Sequence, residues 1–182
     1  MPHVFDPEKA SVLDSDERKK FFPPGRLIKL IEELDIRREV AFDIGAGTGY
    51  FAIPLSRIFK KVYAVDISFE MAEKLREKIE EAGAENIGII VSANPPEVDF
   101  EVDLVLFSNV LHEMNNPEEY IEWASKSDCV IIVDWKKIKT PAGPPLDERI
   151  PLKRMLEMVE KRFEILKVEE ELYPYHYVIV GK

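Results

Sequence analysis

One cysteine, no glutamine and three histidines stand among 182 residues, and no apolar run approaches the ~18 residues that a membrane span needs. The lone Cys129 excludes a disulfide framework and any metal–thiolate cluster. His3 and His176 lie near the two ends, so the histidines match no metal-ligand spacing and no metal is expected. No charged segment leading into an apolar core opens the chain. These absences together lead to the expectation of a cytoplasmic chain with no membrane partner.

Positive charge is also in short supply. Lys and Arg number 25 against 35 Asp and Glu, a formal net charge of −10, and they alternate with Glu along helical stretches. Such a surface repels a phosphate backbone, so nucleic acid is not an expected partner. Lack of glutamine with 33% charged residues is a bias of heat-resistant proteins and leads to the expectation of a thermophilic source. What is present is enough for a core, since 46% of the residues are hydrophobic.

The most informative stretch is Val40-Ala-Phe-Asp-Ile-Gly-Ala-Gly-Thr-Gly-Tyr50, an apolar strand that runs into Asp43 and then into glycines at 45, 47 and 49. Glycines there allow a tight turn and a close approach of backbone to a ligand before a helix begins. A second strand, Val62-Tyr-Ala-Val-Asp66, ends in another carboxylate at about the 20-residue interval expected of a ribose-binding unit. A dinucleotide fingerprint from Gly45 would need Gly or Ala at position 50, where Tyr50 stands and would crowd a pyrophosphate. A carboxylate immediately before the turn repels diphosphate and favours an ammonium group.

Phe42-Asp-Ile-Gly-Ala-Gly-Thr-Gly49 resembles motif I of the class I S-adenosylmethionine-dependent methyltransferases, and Val62–Ser68 is similar to the segment that follows it. Val102-Asp-Leu-Val-Leu-Phe-Ser-Asn-Val-Leu-His-Glu-Met114 is similar to the fourth strand and loop of the type 11 branch, which includes quinone C-methyltransferases and arsenite methyltransferases. The resemblance implies S-adenosylmethionine as cofactor and S-adenosylhomocysteine as product. It implies Asp43 near the methionine amino group, Gly45, Gly47 and Gly49 under the carboxypropyl chain, Asp66 on the ribose and Ile67 against the adenine. Tyr50, Ala93, Asn94 and Asn109 complete the implied cofactor set. Val91-Ser-Ala-Asn-Pro-Pro96 departs from the family, which often carries an acidic residue there, so Asn94 or a backbone carbonyl takes that place. The family's Pro-Gly-Gly turn before the fifth strand is replaced by Ser125-Lys-Ser-Asp128.

Elements are expected to alternate: strands at Val40–Ile44, Lys61–Asp66, Ile87–Val91, Val102–Ser108 and Val130–Asp134, then a hairpin from Phe163–Leu172 and Tyr175–Val180. Helices are expected after Pro23-Pro-Gly25, from Ser68 to Gly83, after a capping Asn116, and over Pro151–Lys161. The fold expected is α/β, a Rossmann-like doubly wound sheet of about seven strands, mostly parallel with an antiparallel C-terminal hairpin. The organisation expected is one domain, with 1–35 as N-terminal cover and helix and 36–182 as Rossmann-like core.

His112 falls just beyond the fourth strand, where such sheets place substrates, and is the candidate general base or orienting group; a loop histidine bonded to backbone is the plain alternative. Glu113 is expected to face solvent. A metal site from His112, Glu113 and Asp134 matches no defined spacing. Trp135 is read either as a wall of the acceptor pocket or as packing beneath the proline-rich loop 138–150, itself a candidate lid. The N-terminal segment from His3 to Pro7, with Phe21–Pro24, is a candidate second cover.

Methyl transfer to a small-molecule acceptor is the function expected from this set, with oligomeric state left open. Protein lysine methylation, an NAD-dependent oxidoreductase and a noncatalytic adenosyl-binding subunit stay as alternatives.

Overall fold

The computed structural model of the chain describes residues 5–182. Seven strands, β1 (Val40–Ile44), β2 (Lys61–Asp66), β3 (Ile87–Val91), β4 (Leu104–Ser108), β5 (Val130–Trp135), β6 (Ile165–Glu169) and β7 (His176–Gly181), form one sheet in the order β3-β2-β1-β4-β5-β7-β6. The first five are parallel to one another, and β7 runs antiparallel between β5 and β6. This is the mixed α/β sheet that the strand pattern leads one to expect. Chain order reverses between β1 and β4, and in open α/β sheets that switch opens the crevice in which ligands bind.

Period-two alternation divides the core between the two faces of the sheet. Ala41, Leu104, Leu106, Ile131, Val133, Val178 and Val180 turn to one face with α2 (Pro24–Glu32), α3 (Ala52–Leu55) and α4 (Phe69–Ala82). Phe42, Ile44, Val105, Phe107, Val130, Ile132 and Ile179 turn to the other, beneath α5 (Pro117–Ala124) and α6 (Leu152–Val159). The central strands β4, β5 and β7 are buried along their whole length, while the edge strands β3 and β6 are half exposed.

Local signals set the helix ends. Ser68 Oγ accepts the Met71 N–H to open α4, and Gly83, at φ 62°, closes it. Asn116 does not cap α5 as its residue type suggested: its side chain donates to Glu119 at 3.4 Å instead, and the helix starts on Pro117 alone. The fourth strand is shorter than expected, because Val102 makes only a lone bridge to Ser127 before Asp103 turns away. The C-terminal hairpin is likewise confined to Ile165–Glu169 and His176–Gly181.

Ahead of the sheet, a 3₁₀ turn (Pro7–Asp14) and the short helix α1 (Asp16–Phe21) cross the C-terminal strand ends. Lys74 Nζ donates to Pro7 O at 2.6 Å, Lys78 pairs with Asp14, and the Phe5 N–H donates to Glu113 Oε2 at 3.2 Å. His3 lies outside the described residues.

Candidate active site

The switch between β1 and β4 brings the glycine turn, the tip of β2 and the loop after β4 to one edge of the sheet. Gly45 and Gly49 have φ of 72° and 86°, a left-handed backbone that side chains disfavour. A Cβ on Gly45 would run into the Val110 side chain, and one on Gly49 into Leu75. Packing within the protein thus demands these two glycines. Gly47 is the glycine that turns its amide to a functional group, donating to Asp66 Oδ2 at 2.8 Å.

Asp43, at the end of β1, is buried, and its Oδ2 meets no hydrogen-bond donor among the described residues. Burial pushes its pKa up to about 7, against the Ala52 N–H and the Arg18 charge, which pull it down. The protein's own donors therefore engage only part of this carboxylate. Asp66, half buried at the tip of β2, accepts from Gly47 N at 2.8 Å and Ser68 N at 2.9 Å. Its pKa is raised by burial against those amides. Each of its oxygens keeps a further lone pair for a hydroxyl. Beside it Ile67 is 55% exposed, an apolar side chain open for a flat ring to cover.

The other cofactor candidates divide. Asn109 adopts φ 56° with its Oδ1 buried and unpartnered among the described residues. Thr48 Oγ1 and Ser108 Oγ share that condition, and neither drew notice in the sequence because a lone Thr or Ser carries no pattern. Ala93 and Asn94 are exposed; the Ala93 carbonyl accepts from Tyr120 Oη at 3.0 Å, and Asn94 closes a small turn with Ser92. Tyr50 turns to the N-terminal cover: its Oη donates to Phe22 O at 2.6 Å and Arg18 lies 4.3 Å from its ring centroid.

His112 sits in the 3₁₀ turn Leu111–Glu113 and is buried. Its Nδ1 is 2.7 Å from Asp134 Oδ1, and its own backbone N–H donates to Asp134 Oδ2 at 3.3 Å. Burial alone depresses the imidazolium, but the Asp134 charge and hydrogen bond, with Glu113 and Glu148, overcome it and raise the pKa. Asp134 assigns the proton of the neutral ring to Nδ1 and leaves Nε2 as the basic edge. Glu113 does not face solvent as expected. Its Oε1 stands 3.7 Å from Nε2 while Oε2 accepts the Phe5 amide, because the N-terminal cover closes over it. Asp134 and Glu113 flank opposite edges of one ring, so the three groups do not converge on a common point. No set of three such ligands does so among the described residues.

Trp135 packs beneath the 138–150 loop. Its ring closes on Gly143, and the Arg149 guanidinium lies 5.1 Å from its centroid. Arg149 ties the loop down through Pro144 O, Lys136 O, Ile138 O, Thr140 Oγ1 and Ala142 O. A groove of about 380 Å³ runs up to His112 between Met114, Asn116, Ile150, Arg154 and Met158. A second, of about 320 Å³ between Ile53, Arg57, Gly83 and Asn86, opens at the opposite edge of the sheet, far from these groups.

Fold and site define a class. Residues 42–126 match the family described as "Methyltransferase domain". An S-adenosylmethionine-dependent methyltransferase from Aquifex aeolicus superposes with TM-score 0.86 at 27% identity over 98% of both chains. One from Clostridium acetobutylicum, at 14% identity, shares the fold alone, with TM-score 0.75 over 96% of this chain and 97% of that one. Among curated proteins, protein-L-isoaspartate O-methyltransferases are similar. The one from Methanoculleus marisnigri is 27% identical over 57% of this chain and 52% of its own length. Protein-L-isoaspartate O-methyltransferase 2 from Nitrosococcus oceani is 33% identical over 28% of this chain and 23% of its own. The chain thus spans about half or less of the curated relatives it matches. The chain is thus similar to a methyltransferase domain over residues 42–126 and to an S-adenosylmethionine-dependent methyltransferase over nearly its whole length.

Proposed function

We propose that the chain transfers a methyl group from S-adenosylmethionine to a small-molecule acceptor whose nucleophile His112 deprotonates. What carries the cofactor half of this reading is the carboxylate pair at neighbouring strand tips. Asp43 has an oxygen that no donor among the described residues reaches, and Asp66 accepts from two amides. A buried carboxylate without a partner is costly, and a cationic ligand removes that cost. Asp43 would hold the methionine ammonium, Asp66 the ribose hydroxyls and Ile67 the adenine face, with Asn109 and Ser108 free to add hydrogen bonds. The cofactor, when bound, supplies an electrophilic methyl on a sulfonium.

The chain's own work is placement and a proton. Holding two reactants in attack geometry supplies on the order of 7–11 kcal/mol of a barrier. His112 would take the acceptor's proton on Nε2, and Asp134 acts as a positioning residue by holding Nδ1–H. The cover formed by residues 5–22 keeps water from the strand tips, while the groove beside His112 gives the acceptor a way in. An acceptor that starts deprotonated, such as the carboxylate that isoaspartate methylation uses, would not need this dyad. Its presence therefore favours an acceptor that starts protonated, an alcohol, an ammonium or an acidic carbon.

Calorimetry with S-adenosylhomocysteine and NAD tests the cofactor; tighter NAD binding sinks the proposal. Release of S-adenosylhomocysteine across an acceptor panel that includes an isoaspartyl peptide and a lysine peptide tests the substrate. Turnover of a peptide alone would move the reading to protein methylation. With the accepted substrate, His112→Ala is expected to lower kcat about 10²–10⁴-fold while leaving S-adenosylhomocysteine affinity unchanged. Asp134→Asn should also shift the rising limb of the pH–rate profile to lower pH, since the charge that raises the His112 pKa is gone.

A further inference from the structure

Glu113 is a half-buried acid that the proton transfer above does not use, and it stands at the edge of His112 where that proton must go. Its Oε2 accepts the Phe5 amide at 3.2 Å, which leaves Oε1 turned to His112 Nε2 at 3.7 Å. That gap is too long for a hydrogen bond. Asp134 holds the Nδ1 edge at 2.7 Å, so in the neutral ring Nε2 is an acceptor, as Oε1 is. Two acceptors thus face each other, and no donor among the described residues reaches either. The charges around them are negative. Burial pushes the Glu113 pKa up, against His112 and the Phe5 amide, and the charges of Asp134 and Asp66 add to the rise. The nearby arginines are committed, Arg149 to five oxygens and Arg154 to Glu118 at 2.8 Å and Glu157 at 3.5 Å.

Such a pair discriminates among acceptors that start protonated. An alcohol has one proton, so it serves Nε2 or Oε1 but not both, and its deprotonation sets a developing oxyanion beside a carboxylate. An acidic carbon meets the same repulsion. A primary or secondary ammonium has at least two N–H donors, satisfies both acceptors at once, and becomes neutral instead of anionic when one proton leaves. The groove of about 380 Å³ that reaches His112 is of small-molecule size, and its Leu111, Met114, Ile150 and Met158 walls suit an apolar body.

We propose that His112 and Glu113 together form a receptor for a primary or secondary ammonium on an apolar small molecule, Nε2 taking one N–H and Glu113 Oε1 another. This rests on the methyl-transfer reading above and narrows its acceptor to an amine. One ammonium proton passes to Nε2, and the lone pair it frees forms the N–C bond while the broken C–S bond leaves its electron pair on sulfur. Glu113 keeps the second N–H and faces the imidazolium that results. The product is an N-methylammonium, and the proton on Nε2 returns to solvent.

Calorimetry on the protein saturated with S-adenosylhomocysteine compares probes that share a skeleton. They are 2-phenylethylamine, 2-phenylethanol and trimethyl(2-phenylethyl)ammonium, which keeps the charge but has no N–H, with the hexyl counterparts as a second set. Wild type should bind the amine of at least one set on the order of 10–100-fold more tightly than its alcohol and its quaternary analogue. Glu113→Gln keeps an oxygen for the Phe5 amide and should bring the amine to within about threefold of the alcohol, the alcohol itself binding as before. With an accepted amine the same variant should raise KM on the order of 10–100-fold and change kcat less. An unchanged thermal midpoint and S-adenosylhomocysteine affinity show that it folds, and the wild-type ranking decides without it. Alcohols that bind as tightly as amines, no amine bound in either set, or a Glu113→Gln variant with the wild-type preference overturns the proposal and leaves methyl transfer standing. A lysine peptide methylated where neither small amine binds overturns it as well, since the groove then does not hold the acceptor. Wild type that binds no S-adenosylhomocysteine overturns both readings.

Discussion

The two edges of the sheet treat buried polar groups in opposite ways. At the edge where β1 and β4 begin, Asp103 is buried with a partner for each oxygen: Oδ2 accepts from Glu39 N at 2.7 Å and Val40 N at 2.8 Å, and Oδ1, which receives no hydrogen bond, lies 3.1 Å from Arg37 Nε as an ion pair. Arg38 meanwhile ties down the carbonyls at the end of α2. At the other edge, Asp43, Thr48, Ser108, Asn109 and His176 are buried with polar atoms that nothing among the described residues satisfies. Proteins rarely leave such groups unpaired, since each costs about 1–3 kcal/mol. Charge pairing and strand-start amides serve the first edge, whereas most of the unpartnered buried atoms among the described residues gather at the second.

The sharpest break of this contrast is Asp103→Ala, which strips two strand-start amides and Arg37 of their acceptor. It is expected to cost roughly 3–5 kcal/mol in urea unfolding while the folded fraction keeps its S-adenosylhomocysteine affinity. A loss of affinity as large as the loss of stability would erase the distinction between the edges.

Asp43→Asn should behave in the reverse way, weakening cofactor-product binding with no loss of stability. Its pH dependence has a definite sign. The native carboxyl titrates near 7 and the unfolded one near 3.9, so between about pH 4 and 7 the native state holds the extra proton and wild type gains stability as pH falls. The stability advantage of Asp43→Asn over wild type should therefore be about 2–4 kcal/mol at pH 8 and shrink towards pH 5. Binding of the cationic cofactor should weaken over the same descent. An advantage that stays constant with pH would show that Asp43 is partnered in solution.

Arg149→Met sharpens the comparison from within the site edge, because Arg149 is there and yet saturated. A loss of about 1–3 kcal/mol with a change in Trp135 fluorescence is expected, and no change in S-adenosylhomocysteine affinity. Smallest of all is Lys60→Ala, which removes an exposed pair with Glu39 and should move stability by less than about 1 kcal/mol. A larger shift would mean that the exposed charge of the architectural edge carries weight its geometry does not suggest.

Much of this was legible in the residues. Strand positions, the reversed C-terminal strand, the Ser68 and Gly83 helix signals and the two strand-tip carboxylates all follow from short-range patterns. What escaped depends on partners distant in the chain. Glu113 looked like a surface residue because nothing near it reveals that the Phe5 amide, over a hundred positions away, closes on it. Asp134 ends an apolar strand as strand-end acids often do, and only the tertiary structure brings it within 2.7 Å of His112. His176 seemed a terminal residue, yet it is buried against Phe22 and Trp135 with its pKa lowered to about 2 by burial and surrounding cations.

The sequence by itself determined the alternation of elements, the glycine turn and the identity of the acids at the strand tips, because dihedral preference and side-chain period act over a few residues. Only the tertiary structure decided which polar atoms are satisfied and which stay unpaired among the described residues. That quantity is a sum over partners brought together by strand order, and no local pattern encodes it.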